Sequence, residues 1–403
     1  MLKNRYVQTI MLSSVFLQLG IWIRNFAILL YVTNLTNNDP LYVSLISVVE
    51  YAPIFIFAII GGTFADRWKP KRTMVWCDIL SGLSVVAVML ALNFGGWYTL
   101  LLGTLISSSL SQFWQPSAMR FYKEHVPSDQ VQGVMALSQS LMAIFMVLGP
   151  VIGTFIFLNY GIEVSLGLTA LMFFVSALIL TRLPRDQQGV TREKSSFMGE
   201  MKEGLQYLWN NVSLRTLSVS FAASGLAVGM IQPLMLFITI EKLGRDKEFL
   251  QWLLMANGGA MLVGGAVIMS LAAKMKPQLM LALGLVVSAI VTVGIGASSV
   301  VWVTIILQMI SGFFYPCIQV GIQTLIMKNT ETAYIGRVGG AITPIFMGMM
   351  VLGMSFSGFL KEQSSLFIVF SASGILFIIG SIVLAPLFKN TERVHEQAVL
   401  SRR

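Results

Sequence analysis

Gly61-Gly62-Thr63-Phe64-Ala65-Asp66-Arg67-Trp68-Lys69-Pro70-Lys71-Arg72 stands between two long apolar runs, at about 41–66 and 73–93. Two glycines, an acid and a tight basic cluster in such surroundings mark a short connection between membrane-crossing helices. Glycine lets helices approach closely, and Lys and Arg hold a loop on the inner side of a membrane. Outward from this loop the pattern recurs. Apolar runs broken by Gly, Pro or charge clusters give spans at about 8–33, 41–66, 73–93, 97–121, 131–158 and 162–183, then at about 213–241, 247–272, 278–297, 300–327, 336–360 and 363–388. A spanning helix needs about 20 apolar residues, so the reading is an all-α membrane protein of twelve transmembrane helices. No separate folded domain fits beside them.

Composition supports this. The 403 residues are 56% hydrophobic and 11% charged, with mean hydropathy +0.77, whereas a soluble domain carries about 25% charged residues. A soluble enzyme is excluded. The net charge of +9 points to no nucleic-acid partner, because the basic residues punctuate the spans. With the N-terminus inside, 22 of the 27 Lys and Arg fall in inner segments, and Lys242, Arg245, Lys247 and Lys361 fall outside. Arg24 alone lies within a span. Both termini are therefore expected in the cytoplasm, with the chain in the cell membrane. The basic start MLKNRY leads into an apolar segment longer than a signal-peptide core, without a small-residue cleavage site, so it reads as a retained first span.

Cys77 and Cys317 both sit in apolar segments, which suits neither a disulfide framework nor a paired-thiol metal site. His125 and His395 have no metal-ligand company. With no nucleotide-binding loop or catalytic triad signature, no catalytic residue, metal or cofactor is assigned.

The two halves repeat each other. Ser111-x-Phe113-Trp114-x-Pro116 matches Ser311-x-Phe313-Phe314-x-Pro316 at an offset of 200, and Met146-Val147-Leu148-Gly149 matches Met350-Val351-Leu352-Gly353 at an offset of 204. Both matches occur in the same order, in spans 4 and 5 and then 10 and 11. This gives a six-helix half at 1–183, a linker at 184–212, a second half at 213–388 and a tail at 389–403. Within the linker, Phe197, Met201, Leu205, Leu208 and Trp209 recur at helical spacing. They form either an amphipathic helix on the inner membrane surface or a solvated linker with incidental periodicity. Parallel repeats of this kind build transporters whose substrate site lies between the halves near mid-membrane.

The duplicated layout and the 61–72 loop together resemble the major facilitator superfamily, whose signature loop has a glycine, an acid four residues on, and a basic cluster. The resemblance implies a conformational latch formed by Gly62, Asp66, Arg67, Lys71 and Arg72, acting with Arg337 at the opening of span 11. Pro70 departs from it, standing where the family usually has Arg or Lys, and the second-half copy, Gly264-Gly265 followed by Lys274, Lys276 and Pro277, has no acid. Gly149-Pro150-Val151-Ile152-Gly153-Thr154 is similar to the Gly-Pro-x-x-Gly-Gly element of the family's exporters and antiporters, with Thr154 replacing the last glycine. Its plain alternative is helix packing alone. With Gln115-Pro116 in span 4 and Gly336-Arg337-Val338 opening span 11, the chain most resembles the drug/proton antiporters of the macrolide-efflux type.

That resemblance implies proton-coupled efflux of amphiphilic, drug-like compounds by alternating access. The expected partners are a small-molecule substrate, protons and the bilayer, with the chain acting as a monomer. The same branch also holds exporters of metabolites and siderophores. A membrane-embedded enzyme or sensor, the remaining alternative, would need clustered polar catalytic residues or an added soluble domain, and the sequence shows neither.

Charges inside the spans locate the chemistry more narrowly. Arg24 and Glu50 each lie about nine residues inside the outer ends of spans 1 and 2, roughly 13 Å deep. A charge at that depth costs a few kcal/mol or more unless paired or wet. The expectation is an Arg24–Glu50 pair facing the cavity, in which Glu50 carries the coupling proton. The alternatives are a static ion pair, or an Arg24 that snorkels outward. Asp78, nearer the inner end of span 3, reads first as part of the latch network and next in line as a proton carrier. For the substrate cavity the polar and aromatic residues are Gln18, Trp22 and Asn25 in span 1, Gln112 and Gln115 in span 4, Gln232 in span 7, and Tyr315, Gln319 and Gln323 in span 10. Interhelical hydrogen bonding is the rival use for each of them.

The basic asymmetry makes a direct prediction. A cysteine introduced at Ser195 should be shielded from an impermeant thiol reagent applied outside intact cells and should label once the membrane is opened. Labelling from outside would refute the topology.

Overall fold

The computed structural model describes residues 4–65, 68–184, 197–272, 275–331 and 334–388. The expected latch residues Asp66 and Arg67, residues 185–196 of the linker and the tail at 389–403 lie outside the described residues. The helices are α1 Arg5–Leu35, α2 Pro40–Ala65, α3 Pro70–Leu92, α4 Thr99–His125, α5 Ser128–Thr181, α6 Phe197–Asn210, α7 Val212–Ile231, α8 Met235–Phe237, α9 Leu250–Ala272, α10 Pro277–Ala297, α11 Val301–Asn329, α12 Ile335–Gln363 and α13 Leu366–Val383. Among the described residues there is no strand. Spans 1–4 are α1–α4, spans 5 and 6 are the two arms of α5, span 7 is α7, and spans 8–12 are α9–α13.

Ten segments of the described residues are long and apolar enough to cross a membrane. One of them, Gly133–Thr181, holds two spans. α5 turns between them at Gly161, whose φ of 76° a residue with a Cβ adopts only under strain. α4 is the twelfth spanning helix, less apolar than the rest because it carries Ser107, Ser108, Ser109, Ser111, Gln112 and Gln115. Span 7 is shorter than the sequence suggests. α7 stops at Ile231 because Pro233 follows, lacking an N–H and crowding the preceding turn, and a wider π-helical turn at Ile238–Lys242 continues the segment. Pro70 is the first residue of α3, where a helix has no intrahelical partner for the N–H that proline lacks.

The chain divides into two compact units, Met1–Lys194 with Lys247–Met255 and Ser195–Asp246 with Ala256–Arg403. In the first, α1 lies along both arms of α5, α3 packs on α4 and α5, and α2 packs on α4. In the second, α7 packs on α12 and α13, and α10 on α11 and α13. The pairing repeats, and so do individual contacts. Gly149 and Gly153 of α5 face Trp22 of α1, so that a Cβ on Gly149 would meet the indole at 2.4 Å. At the offset of 204, Gly353 of α12 faces the Leu226 carbonyl of α7, which a Cβ would meet at 2.5 Å. α6 belongs to the second unit. Its Gly204 lies against the Arg337 backbone, Tyr207 stacks on Tyr334 at 4.4 Å, and Leu208 is fully buried, while Leu205 and Trp209 are exposed.

The α1–α5 contact is testable. A Cβ on Gly153 would stand 2.7 Å from the Trp22 carbonyl oxygen and 2.8 Å from Phe26 Cβ, and backbone cannot yield as a flexible side chain does. Gly153→Ala should therefore destabilise by about 1–3 kcal/mol, lowering the thermal midpoint of the purified protein. Gly167→Ala, with nothing within 4 Å, should leave it unchanged or higher.

Candidate functional site

The charged centre of the first unit is a hydrogen-bonded chain of three side chains. Arg24 is only 3% exposed. Its Nε and Nη2 donate to Asn25 Oδ1 at 3.0 and 2.9 Å, and its Nη1 donates to Ser107 Oγ of α4. Asn25 Nδ2 in turn donates to Glu50 Oε1 at 2.6 Å. The expected direct Arg24–Glu50 ion pair is thus replaced by an amide bridge. Consecutive residues on a helix point about 100° apart, so Asn25 reaches toward α2 while the longer Arg24 side chain folds back onto the Asn25 amide. The amide orientation is fixed by its neighbours, since the guanidinium needs an oxygen and a carboxylate needs an N–H.

Asp78 is 1% exposed on α3. It accepts a hydrogen bond from Ser176 Oγ of α5 at 2.5 Å, and Ser176 Oγ lies 2.7 Å from Ser13 Oγ of α1. A cavity of about 110 Å³ is lined by Arg24, Glu50 and Asp78 together, with α4 supplying Ser107, Ser108, Ser111, Gln112 and Trp114. The sequence placed Asp78 with the latch loop; in the structure it borders the same cavity as Glu50.

A second cavity in the same unit, of about 190 Å³, lies among α1, α4 and the first arm of α5. Gln18, Gln112 and Gln115 line it, joined by Gln139 and by Met119, Met135 and Met142, which the sequence analysis did not single out. The i, i+4 and i, i+3 spacing of Met135, Gln139 and Met142 was the available signal. Leu17, Ile21, Ser111, Gln112 and Trp114 line both cavities, so one layer of side chains separates them.

Other sequence-chosen residues serve elsewhere. Trp22 lines neither cavity; it stacks at 6.0 Å on Phe26 and fills the groove left by Gly149 and Gly153, beside buried Pro150. In the second unit Gln319 Nε2 donates to Tyr315 Oη at 2.8 Å, while Gln232 and Gln323 are exposed. In the loop region, Lys71 Nζ donates to the Thr181 carbonyl at 2.7 Å and to that of Leu183, capping the C-terminal end of α5, where a cation is favoured. Arg72 is exposed, and Gly62 lies in the last helical turns of α2. Arg337 Nη1 pairs with Glu203 Oε2 of α6 at 3.1 Å and its guanidinium lies 5.2 Å over the Tyr334 ring. This pair is solvent-exposed and contributes at most about 1 kcal/mol.

The family model for the Major Facilitator Superfamily matches residues 10–347 and, in a second alignment, 217–403. The uncharacterized MFS-type transporter YkuC of Bacillus subtilis is 24% identical, covering 94% of this chain and 91% of its own. The multidrug efflux pump Tap of Mycobacterium tuberculosis is 23% identical over 85% of this chain and 84% of its own, and macrolide efflux protein A of Streptococcus pyogenes is 22% identical over 89% of each. The crystal structure of a variant of the nucleoside transporter NupG superposes with a TM-score of 0.79 over 96% of this chain and all of its own, at 11% identity, a likeness of fold alone. Matched by this family's model over nearly its whole length and folded like a solved transporter, the chain belongs to the Major Facilitator Superfamily and is a multi-pass membrane transporter, not an enzyme.

Proposed function

We propose that the protein is a proton-coupled exporter of amphiphilic, drug-like compounds, working as a monomer by alternating access, with both termini in the cytoplasm. The observation that carries this reading is the Arg24–Asn25–Glu50 chain, buried at Arg24 and half-buried at Asn25 and Glu50, within predominantly apolar spans. A charged chain of this kind is costly in a membrane and is retained where it moves ions or substrate. Relatives named for multidrug and macrolide efflux favour export of varied amphiphiles over that of one metabolite.

In this reading Glu50 takes up the coupling proton. As a carboxylate it balances Arg24 through Asn25; once protonated it leaves the guanidinium without its counter-charge and releases the amide from its fixed orientation. The neighbouring cavity of amides and thioethers receives the substrate. Gln18, Gln112, Gln115 and Gln139 offer hydrogen bonds, and the methionines adapt their shape to varied apolar bodies. Because Gln112 and Trp114 line both cavities, a ligand on one side displaces groups that face the proton site on the other. Substrate and proton then compete across one wall, as exchange requires. Gly62, Asp66, Arg67, Lys71 and Arg72 act as the latch between conformations, and the glycines around Pro150 let α1 and α5 move as one.

Glu50→Gln should abolish accumulation driven by a pH gradient in proteoliposomes while leaving binding or downhill exchange of an amphiphilic dye partly intact. Arg24→Ala removes the cation that stabilises the carboxylate, so the pH dependence of transport should move toward higher pH. A Glu50→Gln protein that still accumulates dye against its gradient, with unchanged pH dependence, would overturn the reading.

A further inference from the structure

Two carboxyl groups, half-buried Glu50 and buried Asp78, line one cavity together with the buried cation Arg24. Glu50 lies fifteen residues before the end of α2 at Ala65, and Asp78 eight residues after the start of α3 at Pro70. At roughly 1.5 Å per residue their positions differ in depth by about 10 Å, too far for a direct hydrogen bond. The cavity of about 110 Å³ has room for about three waters at roughly 30 Å³ each. Three waters linked by hydrogen bonds of about 2.8 Å bridge about 11 Å. The lining is suited to holding them. Ser107 and Ser111 stand one helical turn apart on α4, and the buried Trp114 indole N–H, beside the Asp78 carboxyl but not in a well-formed hydrogen bond, is a donor that a bound water joins to that carboxyl.

The charged and titratable groups on this cavity are Arg24 from α1, Glu50 from α2, and Cys77 and Asp78 from α3; α4 and α5 add hydroxyls, an amide and rings but no charge. With both carboxyls ionised and one guanidinium, a net negative charge would remain in an apolar interior. One proton shared between the two carboxyls removes it.

We propose that Asp78 is a second proton-carrying group, which exchanges its proton with Glu50 through water held in the cavity that both line. The inference rests on the proton-coupled reading above and deepens it. In the exchange the Asp78 O–H bond breaks, each water in turn accepts one proton and gives up another, and an O–H bond forms at Glu50; Asp78 ends as carboxylate and Glu50 as acid, with nothing else consumed. The bonds behind Asp78 fit this role. While Asp78 is ionised, Ser176 spends its hydrogen on the carboxylate, so Ser13 donates to Ser176. A protonated Asp78 donates instead, and the two hydroxyls can turn the other way. Asp78 is the nearer of the two carboxyls to the end of the helix bundle that carries the α2–α3 loop. Glu50 and Asp78 therefore form two stations at different depths along one path.

The test is infrared spectroscopy of the protonated-carboxyl stretch during a pH titration of the lipid-reconstituted protein, comparing wild type with Glu50→Gln, Asp78→Asn and the double variant. Two bands are expected in the wild type. Each single variant should lose one band and move the midpoint of the other by about one pH unit or more, as groups sharing a proton do. Asn keeps the acceptor for Ser176 and the side-chain volume but cannot carry a proton, whereas Asp78→Glu keeps the proton. Loss of gradient-driven transport in Asp78→Asn with retention in Asp78→Glu supports the relay, and the opposite pattern shows a structural hydrogen bond and overturns it. If Asp78→Asn does not fold, the Asp78→Glu band must still move when Glu50→Gln is added. Bands that titrate independently, or no titrating band from Asp78, overturn the exchange. Uphill transport by Glu50→Gln would instead overturn the underlying coupling reading, whatever the bands do.

Discussion

Arg24 is 3% exposed and is the one charged residue in the membrane-spanning part of α1, and a guanidinium there is tolerable only with its charge answered and its donors occupied. Much of the first half is arranged around that requirement. Asn25 turns its oxygen to Arg24 and its amide nitrogen to Glu50, and Ser107 takes a further donor. α4 is the most polar of the spanning helices on the face that meets this group. The small cavity between Glu50 and Asp78 exists because serines, rather than larger apolar residues, stand opposite the charges.

Rigid helix packing surrounds this polar centre. Trp22, on the same helix as Arg24, fits against Gly149 and Gly153, and the contact recurs between Leu226 and Gly353 in the second half. Such contacts hold α1 against α5 at backbone distance, so a shift at Arg24 is transmitted to α5 as a body rather than absorbed by side chains. The second half keeps the packing and drops the chemistry. Its described spans have no counterpart to the Arg24–Asn25–Glu50 chain: its ion pairs, Arg337–Glu203 and Lys361–Glu241, lie near helix ends, and contacts such as Gln319 to Tyr315 and Asn257 to Gln308 are neutral.

The twelve spans were legible because each depends on a local property, a run of apolar residues ended by Gly, Pro or charge. The break near residue 160 was legible for the same reason, and Gly161 supplies it. Span 7 was read too long because its apolar run continues past Pro233, where composition and helix geometry disagree. Site residues were legible by type but not by partner. Arg24 and Glu50 stood out as charges in apolar runs, yet nothing in the sequence tells which way Asn25 faces, so its bridging position was missed and it was read as a cavity residue. The packing of Trp22 was not legible either, because the groove it fills lies on a helix more than a hundred residues away. Asp78 was read first with the loop by nearness along the chain and next as a proton carrier, and its hydrogen-bond partner Ser176, on a distant helix, was not legible. Besides the Met135, Gln139 and Met142 spacing, the serine-rich run at 107–111 was an overlooked local signal, since hydroxyls in a spanning helix point to water or to charge.

The central claim is that ligand binding and protonation exclude each other within the first half. Proton release on binding measures this most directly. An amphiphilic dye added to weakly buffered, purified protein at a pH where Glu50 is protonated should acidify the medium in proportion to the dye bound, and the Glu50→Gln protein should bind dye without that release. Dye binding that leaves the pH of the medium unchanged across the whole range over which the protein stays folded would contradict the account.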